Sequence, residues 1–135
     1  MTNTHHRNPE FWFGPIQSPV LPSEVLFELF KEEKLIATPR LGKRDGTHPK
    51  GYVPGTVATV RLYNNQKCEL LNRRVRILGV VSRPLCEFGG AELEEAHYPP
   101  DWQSLQQDLS LFEGRPVARD ELVSIVTFSY LKEEA

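Results

Sequence analysis

Thr59-Val60-Arg61-Leu62-Tyr63 sets a hydroxyl, a guanidinium and a phenol at every second position. On extended backbone, side chains two apart share a face. Val57, Thr59, Arg61 and Tyr63 therefore project to one side, and Thr56, Ala58, Val60 and Leu62 to the other. The second set is apolar enough to be core. The first can line a polar pocket: Arg61 forks onto a phosphate or a carbonyl, Thr59 orients it, and Tyr63 stacks on a base. A half-exposed strand with a solvated arginine gives the same pattern, and alternation alone does not separate the two.

Basic residues gather in two other places. The stretch 40–50 carries Arg40, Lys43, Arg44, His48 and Lys50, broken only by Asp45 and loosened by Gly42 and Gly46. Such a loop can clamp phosphates through side chains and backbone N–H groups; a solvated surface loop is the alternative. Arg73, Arg74 and Arg76 add positive charge further on. The ligand-binding candidates are thus Arg61, Tyr63, Lys43, Arg44, Arg74 and Arg76. Cys68 and Cys86 stand far apart, in no CxxC spacing, and read as structural thiols. The pair His5-His6 lacks further ligands. No metal site and no cofactor is expected.

These residues need a scaffold to hold them. A chain of 135 residues is long enough to bury a core and is most simply one domain. Its 39% hydrophobic and 25% charged residues fit an ordinary globular protein, and a formal charge of −2 neither requires nor excludes nucleic acid. No apolar run is long enough to span a membrane, and the start lacks a signal pattern, so the default location is cytoplasmic. Residues 1–10 read as a mobile tail and residues 11–135 as a single domain. Phe11-Trp12-Phe13, before the Gly14-Pro15 turn, must bury surface, either as a plug for the core or as a partner-docking strip.

The elements follow from spacing. A helix over 23–34 opens at Pro22-Ser23-Glu24, with the Ser23 hydroxyl as N-cap and Val25, Leu26, Leu29 and Phe30 as its apolar stripe. The Thr59-bearing strand comes next. A second long strand, over 73–85, puts Val75, Ile77, Gly79 and Val81 on one face and Arg74, Arg76, Leu78, Val80 and Ser82 on the other. Ala91 to His97 is a short helical piece. Asp101 caps a helix through Phe112, with Trp102, Leu105, Leu109 and Phe112 inward and Glu113-Gly114 as the stop. A last strand, over 121–131, is apolar on both sides and so covered on both faces.

This order resembles an ASCH domain, a small β-barrel of the PUA-like superfamily. Thr59-Val60-Arg61 resembles the end of that family's Gly-x-Lys-x-x-x-x-Arg motif. Arg74 to Val81 resembles its central strand. Ala96 to Leu105, followed by Leu122 to Phe128, resembles its Trp-opened helix and closing strand. The resemblance covers the chain from about Thr56 onward and implies an α+β fold, a small PUA-like, ASCH-type β-barrel with two to three flanking helices. ASCH members that hydrolyse N4-acetylcytidine use a Lys, a Thr and a Glu. The resemblance maps the Thr onto Thr59, but Thr56 stands at the Lys position and Pro54 at the Gly position. Where the Glu is expected, this chain has His97 and Tyr98. Glu95, a little upstream, and Lys50, from the basic loop, are the candidates that would complete a catalytic set with Thr59.

Two functions from different classes follow. One is an RNA- or nucleotide-binding domain with a positively charged pocket, its partner RNA or a nucleotide-like small molecule. The other is a hydrolase, either an amidohydrolase on an acylated nucleoside such as N4-acetylcytidine or a ribonuclease. Thr59 beside Arg61 without a nearby base is binding chemistry, which favours the first. A protein-interaction module using the aromatic segment is a third reading.

Overall fold

The computed structural model describes residues 9–44 and 51–132. In chain order its elements are β1 (Glu10–Phe13), α1 (Ser23–Lys31), β2 (Ala37–Leu41), β3 (Val57–Tyr63), β4 (Glu69–Pro84), α2 (Gly90–Glu95), α3 (Trp102–Glu113) and β5 (Leu122–Tyr130). The strands form one sheet in the order β1-β3-β4-β5-β2. β1 runs parallel to β3, and every other pair is antiparallel.

Alternation along β3 is carried into the fold intact. Ala58, Val60 and Leu62 are fully buried, and the residues between them are half-buried. Thr56, expected on the core face, is instead exposed just before the strand, and its hydroxyl donates to the Val53 carbonyl. Phe11 on β1 joins the same core, stacked on Tyr52 with centroids 4.4 Å apart and tilted against Phe128. Each of these buried rings contributes roughly 1.5–3 kcal/mol of apolar burial. The aromatic run is therefore split by strand geometry: Phe11 goes inward, Phe13 is half-buried, and Trp12 stands 54% exposed.

β4 departs from simple alternation. Ile77 lies opposite Phe128 and Gly79 opposite Thr127, so Leu78 is an extra residue in the ladder. The bulge reverses the faces beyond it. Val80 packs against the core while Val81 is exposed, the opposite of the expected assignment. Ser82 also turns inward, to a hydroxyl–hydroxyl bond of 2.7 Å with the buried Ser124.

The helices follow their signals with two corrections. α1 stops at Lys31, and its N-cap is Pro22; the Ser23 hydroxyl donates to the Tyr63 carbonyl at 2.6 Å instead of capping. On α3, Asp101 accepts from the Ser104 N–H at 2.9 Å and Gly114 ends the helix in the left-handed conformation, as read from the sequence. The buried stripe of α3 is Leu105, Asp108 and Leu109; Phe112 is largely exposed.

The sheet curls so that its two edge strands, β1 and β2, approach each other without pairing. The result is an α+β half-barrel with three helices, open along one seam. Arg40 of β2 reaches over that seam, its guanidinium 5.4 Å from the Phe11 ring centre and 4.8 Å from that of Phe13.

Candidate ligand-binding site

The Thr59-Arg61-Tyr63 face lies on the outer side of the sheet. Arg61 gives both Nε and Nη2 to one oxygen of Glu69, at 3.2 and 2.8 Å, and Glu10 stands 3.6 Å from Nη1. Trp12 and Tyr63 flank the guanidinium, with ring centres 5.4 and 5.7 Å away. The Glu69 hydrogen bond raises the Arg61 pKa, and Arg61 in return lowers that of Glu69. Arg61 is thus held by carboxylates on an open surface, and neither it, Thr59 nor Tyr63 lines the hollow at the β1–β2 seam.

That hollow, of about 260 Å³, opens between β1, β2 and the end of α3. β2 supplies its polar residues. Thr38 pairs with Val126 and Arg40 with Ser124, and residues opposite each other in a ladder share a face, so both side chains turn to the concave side. Thr38 is 2% exposed. Arg40 Nη1 donates to Thr38 Oγ1 and to the Pro39 carbonyl, each at 2.8 Å, and Nη2 reaches the Trp12 carbonyl at 3.4 Å. Among the described residues these acceptors are all neutral. Burial pushes the Arg40 pKa below its ordinary value, opposed by the nearby Tyr52 and Tyr98 phenols.

Pro39 is tolerated inside β2 because β2 is an edge strand, where one side of the backbone has no ladder to serve. Beyond it, Gly42 and Arg44 are tied to β5. The Arg44 N–H donates to Ser124 Oγ at 2.7 Å, and Ser124 Oγ donates to the Gly42 carbonyl at 2.7 Å. With its one proton so placed, Ser124 accepts from Ser82. This network fixes the chain where Arg44 enters the wall of the hollow, with Nε donating to the Leu41 carbonyl at 2.7 Å.

The opposite wall holds a buried carboxylate. One oxygen of Asp108, a residue 2% exposed, accepts from the Ser18 hydroxyl and from the Tyr98 hydroxyl, the latter at 2.7 Å. Ser18 and Tyr98 both line the hollow. Burial, then the Asp108 charge, raises the Tyr98 pKa far above the phenol range, so this hydroxyl is a fixed donor. Leu21, Leu26 and Leu35 supply apolar wall, and Trp12, Ile16, Phe112 and Glu113 stand at the rim.

Of the residues expected from the sequence, Arg44 alone is brought to this hollow. Arg74 and Arg76 are exposed on the outer face opposite Thr59 and Val57, with Arg76 donating to the Gly55 carbonyl at 2.8 Å. Lys43 is exposed. Glu95 is exposed at the end of α2 and does not line the hollow. Lys50 lies outside the described residues, as do His5, His6 and residues 45–50. Thr38 and Asp108 were not among the expected site residues, and Arg40 was read only as the start of the basic stretch 40–50. Each left a signal: Thr38-Pro39-Arg40 repeats the Thr-x-Arg spacing of Thr59-Val60-Arg61, and Asp108 falls on the apolar stripe of its helix. Among the described residues, no group of three His, Cys, Asp or Glu side chains is placed to hold a metal ion, and no helix is long and apolar enough to cross a membrane.

Two solved structures share this architecture. A protein from Enterococcus faecalis V583, of family DUF984, matches with a TM-score of 0.56 and 15% identity, covering 96% of this chain and 86% of its own. An ASCH domain from Lactobacillus crispatus JV V101 matches with a TM-score of 0.56 and 11% identity, covering 88% of this chain and 79% of its own. The chain therefore shares the fold of this ASCH domain. No protein-family model matches the sequence, and no curated protein matches it.

Proposed function

We propose that this is an ASCH-like domain that binds RNA or a nucleotide-like molecule in the hollow at the β1–β2 seam, through Arg40 and Thr38. One observation carries the reading. Arg40 presents a desolvated guanidinium to a hollow, and its partners among the described residues are neutral oxygens. A buried charge is costly unless an opposite charge meets it. An anionic group of a ligand supplies that charge, and Arg is well shaped to take it in a fork. Aromatic side chains at Phe13 and Tyr98 give a base surfaces to rest on.

The hydrolase alternative has less support. The family motif, counted back from Arg40, sets its hydroxyl at Thr38 but its lysine position at the buried Leu35. Of the catalytic candidates, neither Thr59 nor Glu95 lines the hollow, and Lys50 lies outside the described residues.

Titrating short RNAs and nucleoside monophosphates against the intrinsic tryptophan fluorescence tests the proposal. Binding is expected to weaken with added salt, to fall at least tenfold in Arg40→Gln and to persist in Arg61→Gln. The reverse ranking of these two variants would return the site to the outer face of β3.

A further inference from the structure

We infer that the hollow selects one nucleotide carrying a single phosphate group, either a free nucleoside monophosphate or the phosphorylated end of a strand. This rests on the binding function proposed above and names its ligand class. Four observations carry it.

The first is size. A hollow of about 260 Å³ lies below the roughly 300–1,000 Å³ usual for drug-sized ligands. One ring and one small anion fill it, whereas a run of stacked nucleotides does not fit. The second is the donor inventory. Arg40 Nη1 is committed twice, Nη2 is held weakly at 3.4 Å, and the Tyr52 phenol lies within hydrogen-bonding reach of the guanidinium. Arg44 commits its Nε to Leu41. Among the described residues, the donors left over are those of two guanidinium ends, a set suited to one tetrahedral anion.

The third is the sign of the rim. Glu113 stands at the mouth beside Phe112, both on the last turn of α3. A carboxylate there opposes further phosphates trailing outward. The fourth is the wall. Phe13 and Tyr98 flank the interior, so a planar ring has faces to meet once its anion is seated. Thr38 acts here as a positioning residue, because its hydroxyl holds Nη1 and so aims the remaining donors.

The test is isothermal titration of the full chain with cytidine, cytidine 5′-monophosphate, cytidine 5′-triphosphate, and a short RNA bearing either a 5′-phosphate or a 5′-hydroxyl. The monophosphate is expected to bind at least tenfold tighter than cytidine, and the triphosphate no tighter than the monophosphate. If strand ends are the natural source, the 5′-phosphorylated RNA exceeds its 5′-hydroxyl counterpart by a similar factor. If free nucleotides are, the two RNAs bind alike while the monophosphate keeps its advantage. Arg40→Gln should erase the phosphate preference and spare the affinity for cytidine. Since Arg40 also bridges the seam, Arg44→Gln provides a second variant, expected to reduce the same preference in part. Equal affinity for cytidine and its monophosphate, or a triphosphate that binds best, overturns this inference and leaves the binding function standing. Absence of binding to every nucleoside, nucleotide and RNA overturns both.

Discussion

Arg40 Nη1 lies 2.8 Å from Thr38 Oγ1, a hydrogen bond between two residues on the same face of an edge strand. The Thr38 hydroxyl aims the guanidinium into the seam without neutralising it. A carboxylate in that role, such as Glu69 supplies to Arg61, would aim the group and cancel its charge together. That contrast separates a guanidinium available to a ligand from one spent on structure.

Thr38→Val keeps the shape and removes the hydroxyl. It should cost binding roughly 0.5–1.5 kcal/mol, the net worth of a neutral hydrogen bond, and Thr38→Ser should restore it. Fluorescence titration of the three proteins with a nucleoside monophosphate measures this. A valine variant that binds like the parent would show that the guanidinium needs no aiming.

Gly14 has φ +100°, and a Cβ there would fall 1.8 Å from the Tyr63 carbonyl oxygen. The segment after β1 is pinned at this point, because Gln17 and Ser23 bond to the same region. Gly14→Ala should destabilise by more than about 1 kcal/mol, since both the backbone angle and the space are wrong for a side chain. A urea melt reads it, and a midpoint equal to that of the parent would contradict this geometry.

Asp108→Ala removes the acceptor of two buried hydroxyls, Ser18 and Tyr98. Each unsatisfied group costs roughly 1–3 kcal/mol. Asp108→Asn, which keeps a carbonyl oxygen, should be milder. Chemical denaturation orders the variants, and an alanine variant as stable as the parent would mean that water replaces the carboxylate.

Glu121 gives the fold a pH dependence. Two hydrogen bonds from Arg115, at 3.0 and 2.8 Å, and one from the Ala118 N–H hold its pKa at about 2, below the ordinary 4.5. A carboxylate depressed in the folded state stabilises the fold above its unfolded pKa, and that contribution is lost as pH falls from about 4.5 toward 2. Glu121→Gln should therefore flatten the acid side of a plot of melting temperature against pH. The two curves should converge near pH 2. An unchanged acid limb would show that the interaction adds nothing in solution.

Much of the scaffold was legible from spacing. Ala58, Val60 and Leu62 took the core face of β3 because strand alternation is enforced residue by residue. Asp101 and Gly114 bound α3 because caps act within one turn. Other features were hidden for equally definite reasons. β2 was masked by Pro39, which argues against a central strand and is harmless on an edge. Val80, Val81 and Ser82 were assigned to the wrong faces because a bulge depends on the partner strand as much as on its own sequence. The role of Asp108 was hidden because its hydroxyl partners, Ser18 and Tyr98, lie 90 and 10 positions away.

The chain contains two Thr-x-Arg pairs on extended backbone, and local alternation establishes that each pair shares a face. It does not establish which face turns inward. That follows from the long-range pairing of β1 with β3 and of β2 with β5, and from the curl that brings the two edges together. Side-chain alternation is a property of one strand, whereas concavity belongs to the whole sheet. Arg40 therefore points into the hollow while Arg61, at the same spacing from its own threonine, lies outside against Glu69.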